Sequence, residues 1–163
     1  MKDKKLKSLK KRLGIVTVCC FIVPCICLLN IYSKIILLTT MYKYAREKVE
    51  EMAEVAGDIL GYMLVFFILV ILGFMLLHIK KSGKPFTKSN IRKMQAIAGL
   101  TCGCGVLPSV LSSVITFLCT DSAYFLDYGV HEICIMFLGS ALFTISEIFH
   151  YGNELQEDVD LIA

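Results

Sequence analysis

Three long stretches of this 163-residue chain contain no charged residue: 13–33, 59–78 and 94–120. Charged residues make up only 19% of the sequence, while 56% of it is hydrophobic. Soluble domains sit nearer 45–50% apolar. The mean hydropathy of +0.70 points the same way, away from a soluble globular domain. Enzyme signatures are also missing. There is no nucleophile elbow, no phosphate-cradling loop and no His-Glu-x-x-His, and Ser, His and Asp fall in no triad order. No catalytic residue and no cofactor is therefore expected. The first apolar run, 13–32, is longer than a signal-peptide core and lacks a small-x-small cleavage site, so it is expected to be retained.

What the chain does have is four apolar runs. About 20 helical residues at a rise of about 1.5 Å cover the hydrocarbon core of a bilayer. The spacing predicts a single all-α domain, an integral membrane four-helix bundle, with helices at about 13–32, 57–79, 93–119 and 130–151. Charge sets its orientation. Seven of the seventeen cations lie in residues 2–12 and six in residues 80–93. By the positive-inside rule both segments are cytoplasmic, and so are both termini of a multi-pass protein of the cell membrane. The basic start flanks a membrane helix and faces anionic lipid; it does not argue for direct nucleic-acid binding.

The loop Ser82-Gly83-Lys84-Pro85-Phe86-Thr87-Lys88 separates the second and third runs. Gly83 and Pro85 stop the preceding helix. Thr87 is suited to cap a helix that restarts at Lys88. Phe86 and Ile91 stand at the positions of a hydrophobic staple.

Residues 33–56 form the one sizeable outer segment. Leu38, Tyr42, Ala45, Val49 and Met52 recur at helical spacing, and Lys43 with Glu47 and Arg46 with Glu50 are i,i+4 pairs of opposite charge. Either the first helix continues outward or an amphipathic helix lies at the interface. Pro24 is expected to kink the first helix. Gly57 and Gly61 permit close helix approach on the second, and Gly99, Gly103 and Gly105 keep the third slim around Pro108. Asp58 at the outer end is expected to reach interfacial water.

The fourth run is short of charge-free length, so Glu147 falls about one turn inside the inner boundary. Intramembrane carboxylates usually have a partner. His78, Lys80, Arg92 and Lys93 are the candidates at that depth. Beyond it, 152–163 is an acidic cytoplasmic tail without a cation. Leu155, Val159 and Ile162 share one face if that tail is helical. It suits a basic protein groove, or folds back on the basic loop.

Glu147-x-x-His150 has the spacing of carboxylate-bridged metal sites but no second pair to complete one, so no metal is expected. Pro24-Cys25-x-Cys27 resembles the membrane cysteines of soft-metal pumps, yet no ATPase machinery accompanies it. Cysteine also serves as a small hydrophobe between helices. Cys119 and Cys134 bracket the outer loop, where a disulfide would need an oxidising outside.

The Gly-x-Pro-Phe-Thr loop, read with the tail segment Leu155-Gln156-Glu157-Asp158-Val159-Asp160-Leu161, resembles the bacterial membrane family catalogued as domain of unknown function 2975. The likeness spans nearly the whole chain. It implies a small four-helix membrane protein encoded beside a short helix-turn-helix regulator, which it holds or modulates. It brings no catalytic residues. The matching positions Gly83, Pro85, Phe86, Asn90, Leu155, Gln156, Glu157, Asp158 and Asp160 all fall on the cytoplasmic side. With Glu154, the tail acids would meet a basic DNA-binding helix much as phosphates do. The expected function is a regulatory membrane partner, and homo-oligomers are compatible with it. The alternative is a small transporter or peptide-resistance or immunity protein using Glu147 and His78; a structural subunit of a larger complex is a third reading.

Overall fold

The structure is a computed structural model; it describes the backbone of residues 2–44, 48–82, 87–120 and 129–162, and side chains within those segments from 11 to 155. Four helices account for nearly all of it: α1 (Lys2–Tyr44), α2 (Val49–Ser82), α3 (Lys88–Thr120) and α4 (Val130–Ile162). Each is long and apolar enough to cross a membrane.

The outer segment is no separate interfacial helix. α1 runs unbroken to Tyr44, and α2 begins at Val49. The two make one extended hairpin, in which Leu38, Val49 and Met52 are half-buried while Tyr42 is exposed. Glu50 and Glu51 in the first turn of α2 and Lys80 and Lys81 in its last complement the helix dipole. Lys48 pairs with Glu51 at 2.7 Å. The Lys43–Glu47 and Arg46–Glu50 pairs read from the sequence involve residues outside those described. α3 starts where a cap is available: the Asn90 amide lies 3.3 Å from Thr87 Oγ1, and the Asn90 and Ile91 amides reach the Thr87 carbonyl. The staple residue Phe86 lies outside the described residues.

Neighbouring helices run antiparallel. α1 packs on α2, α2 on α3 and α3 on α4, and among the described residues no other pair approaches closely at the backbone. The assembly is thus an open bundle with α1 and α4 at its two edges, not a ring of four. Thr17, Cys20, Pro24 and Cys27 form the buried stripe of α1, one turn apart or nearly so, against α2. α1 remains helical through Pro24. Cys20 and Cys27 act there as small packing residues, while Cys19 and Cys25 are exposed.

The polarity is inverted relative to a soluble protein. Asn90, Thr116 and Ser146 are the largest fully buried side chains. Large apolar residues such as Ile22, Leu29, Phe117 and Phe137 face outward along all four helices. Water does not tolerate apolar patches of that extent. Hydrocarbon does, and it leaves small residues to make the helix contacts. Seam hydroxyls are satisfied inside their own helix: Thr17, Thr101 and Thr116 each donate to the carbonyl four residues back, at 2.7, 2.8 and 3.0 Å. Helical backbone and self-bonded hydroxyls leave little for lipid to solvate. Four such helices suggest a multi-pass membrane protein.

Candidate functional site

Two regions at opposite ends of the helices combine polar chemistry with accessible space. The first lies where Gly57 and Gly61 of α2 meet Pro108 of α3. A Cβ on Gly57 would stand 2.8 Å from the Pro108 carbonyl oxygen, and one on Gly61 would touch the proline ring at 3.6 Å. The small-xxx-small spacing of α2 therefore serves this one contact. On the α4 side, a Cβ on Gly105 would stand 2.8 Å from the Glu132 carbonyl oxygen. Gly99 has nothing within 4 Å and Gly103 meets only its own Leu107. Of the three α3 glycines, only Gly105 serves a helix interface.

Between these contacts a cleft of about 480 Å³ opens over α3, walled by α2 and α4. Glu54, Asp58 and Tyr62 line it from α2, Ser109, Ser112 and Ser113 from α3, and His131 and Glu132 from α4. Glu132 approaches His131 Nδ1 at 3.0 Å. That contact is close, but its geometry is not that of a hydrogen bond: Glu132 Oε2 is buried with no hydrogen-bond partner. Asp58 accepts from Lys34 Nζ of α1 at 2.6 Å rather than simply facing water. Acids and hydroxyls in one cleft suit a ligand carrying positive charge. Sequence reading singled out Asp58, Gly57, Gly61 and Pro108 individually. It missed that Glu54, Tyr62 and Glu132 join them, since only the antiparallel register of three helices puts them at one level.

The ion pair has a measurable consequence. Asp58→Asn is expected to lower the thermal midpoint in detergent, by about 1 kcal/mol of stability, as for other partly exposed pairs. The double change Lys34→Met with Asp58→Leu should recover most of it, because no charge is then left alone. An unchanged midpoint in the single variant would show the pair to be energetically idle.

The second region is the opposite end, where α1 starts, α2 ends, α3 starts and α4 ends. Lys11, Arg12, Lys80, Lys81, Arg92 and Lys93 gather there with Glu147 and Glu154, and the acids Glu50, Glu51, Glu54, Asp58 and Glu132 lie at the other end. Here the sequence assignments need correction. Glu147 is exposed and accepts from Gln95 Nε2 at 3.2 Å. Its partner is a neutral amide of α3, not His78, Lys80, Arg92 or Lys93. The reason is register: α3 presents Gln95 toward α4 at this level, while His78 and Lys80 belong to α2, with which α4 makes no close backbone contact among the described residues. Glu147 and His78 thus sit on helices that do not pack directly on each other among the described residues. His150 turns to Glu154, with Nδ1 and Oε1 3.4 Å apart, so Glu147 and His150 have different partners.

Among the remaining candidate residues, Asn90 is buried. Asn90 is thus a packing residue, not an exposed docking one. Glu154 and Leu155 are exposed on α4. Gly83, Pro85 and Phe86, and the side chains of Gln156, Glu157, Asp158 and Asp160, lie outside the described residues; the backbone of 156–162 continues as helix. Cys119 and Cys134 are both free thiols.

Comparison with known proteins adds one match. The family model described as protein of unknown function (DUF2975) matches residues 39–162. No curated protein and no solved structure matches the chain.

Proposed function

The chain belongs to the DUF2975 family, and from that membership we propose that it is a regulatory protein of the cell membrane, with both termini cytoplasmic, that holds a small cytoplasmic helix-turn-helix DNA-binding protein. The observation that carries this reading is the end of α4. That helix does not stop with its apolar span but continues to Ile162, and it displays Glu154 and Leu155 on its exposed surface. Its last turns also contain Glu157, Asp158 and Asp160. An acidic helix with apolar residues, rooted in the membrane, fits a basic groove or a DNA-reading helix on a soluble partner. The cations at the starts of α1 and α3 and the end of α2 support the cytoplasmic placement of that face. Release would follow a shift between two arrangements of the helices that differ in affinity for the partner.

Affinity capture from native membranes tests the proposal. Replacing Glu154, Glu157, Asp158 and Asp160 together by their amides is expected to remove a small soluble DNA-binding protein that the wild-type chain retains. Losing four charge-assisted contacts, at about 0.5–1 kcal/mol each when solvent-exposed, amounts to at least tenfold in affinity. Equal capture by both forms would sink the proposal.

The acid-lined cleft favours a second reading, a small transporter or peptide-resistance protein acting on a cationic ligand. It assigns the chemistry to Asp58 and Glu132 and not to Glu147 with His78. A membrane that captures no soluble partner but shows ligand-dependent flux or resistance, lost in Glu132→Gln, would favour it.

A further inference from the structure

We propose that the groove at the inner end of α2 is a binding site for one anionic phospholipid, with the acyl chain along Ile71, Phe74 and Leu77 and the phosphate between His78, Lys81 and Lys93. The groove encloses about 510 Å³, and those six residues line it. Ile71, Phe74, His78 and Lys81 follow one another at three- and four-residue steps, so they form one stripe of α2. Lys93 reaches the same space from α3.

The order of chemistry along the groove selects its occupant. From Ile71 to Lys81 is about 15 Å at about 1.5 Å per residue. The apolar part lies toward the middle of the helix and the cations at its end, as the tail and headgroup of a lipid lie in a leaflet. Phe74 is 55% exposed although its ring packs edge-on against Phe21 of α1, with centroids 5.6 Å apart. Gly73 allows that approach, since a Cβ there would stand 3.0 Å from the Phe21 ring. The ring is thus fixed as a wall and still offers an apolar face.

The cationic end is uncompensated. Among the described residues no acid lines the groove, and neither Lys81 nor Lys93 belongs to an ion pair. Among the described residues α4 makes no close backbone approach to α2, and neither Glu147 nor Glu154 lines the groove. Basic pockets between membrane helices on the cytoplasmic side bind phosphorylated headgroups in this way. The site is separate from the α4 end, so it stands whether or not a soluble partner docks there.

The test uses the full chain purified in detergent. It is titrated with phosphatidylglycerol or with phosphatidylcholine of the same acyl chains, and bound lipid is counted by mass spectrometry of the intact complex. Wild type should prefer the anionic lipid by roughly tenfold or more, from two cations near its phosphate. Lys81→Gln with Lys93→Gln should reduce that preference to near unity, and Lys81→Arg with Lys93→Arg should keep it. Lys43→Gln with Lys48→Gln, at the opposite end, should also keep it. Phe74→Ala should weaken both lipids alike. No preference in the wild type, or an undiminished one in the glutamine pair, would overturn the proposal. Equal loss in the Lys43 and Lys48 pair would reduce it to diffuse attraction. Displacement of the lipid by millimolar inorganic phosphate would reassign the cations to a free anion.

Discussion

Ile22→Asp is expected to abolish stable insertion of α1. Ile22 lies in the middle of the apolar run of α1 and is 56% exposed on the surface of the protein. In a bilayer that surface is hydrocarbon, and an aspartate at a helix centre costs about 3 kcal/mol. The corresponding equilibrium shift is about a hundredfold. In a water-soluble protein the same exposed position would tolerate the change within about 0.5 kcal/mol. A translocation reporter fused after α1 reads the inserted fraction directly. Tyr44→Asp, at the far end of α1 and more exposed still, is the matched control and should insert normally. Equal insertion of both variants would overturn the membrane reading, and with it the lipid groove and the docking face.

The second large effect is at the α3–α4 seam. Gly139→Val is expected to cost about 3 kcal/mol or more, at the upper end of what an overfilled contact costs. A Cβ at Gly139 would stand 2.5 Å from Cys102 Sγ, 2.7 Å from the Cys102 amide nitrogen and 3.1 Å from the Ala98 carbonyl oxygen. The thiol can rotate away, but the two backbone atoms belong to α3 and move only if the helices part. Gly105→Val should act similarly from the other helix, against the Glu132 carbonyl. Gly99→Val is the control: its surroundings hold nothing within 4 Å, so only helix propensity changes, by less than about 1 kcal/mol. Thermal unfolding in detergent separates the cases. A large loss at Gly139 with little at Gly99 is expected, and equal losses would mean that the seam is not where the structure puts it. The α4 end depends on this seam, so the same variant should also weaken capture of a partner.

These two sites show which kinds of residue were legible in advance. The charge-free runs, the basic clusters and the capping Thr87 are local features, and each predicts a helix or its end from its own neighbours. Gly57 and Gly61 advertised a close contact by spacing alone, although not that Pro108 would fill it. Gly139 carried no such signal: it is a single glycine in an apolar run, and its contact is with a helix about forty residues earlier. The three glycines of α3 looked alike in sequence, yet only Gly105 faces another helix closely. Glu147 shows the same limit. Its depth was readable, whereas its partner depended on which α3 residue the register brings level with it, and that residue is Gln95.

Hydrophobic length and charge asymmetry were enough, from the sequence alone, to define four helices long and apolar enough to cross a membrane, and the end at which most of the cations gather. Those properties follow from the cost of placing charge or unpaired backbone in hydrocarbon, which each segment meets or fails by itself. The tertiary structure alone decided that close backbone contacts among the described residues run between chain neighbours, that the acids of α2 and α4 share one cleft and that Lys81 and Lys93 close an apolar groove. Helix rotation and register settle such juxtapositions. They depend on how small residues on two surfaces fit together, a property of the pair that neither sequence segment contains.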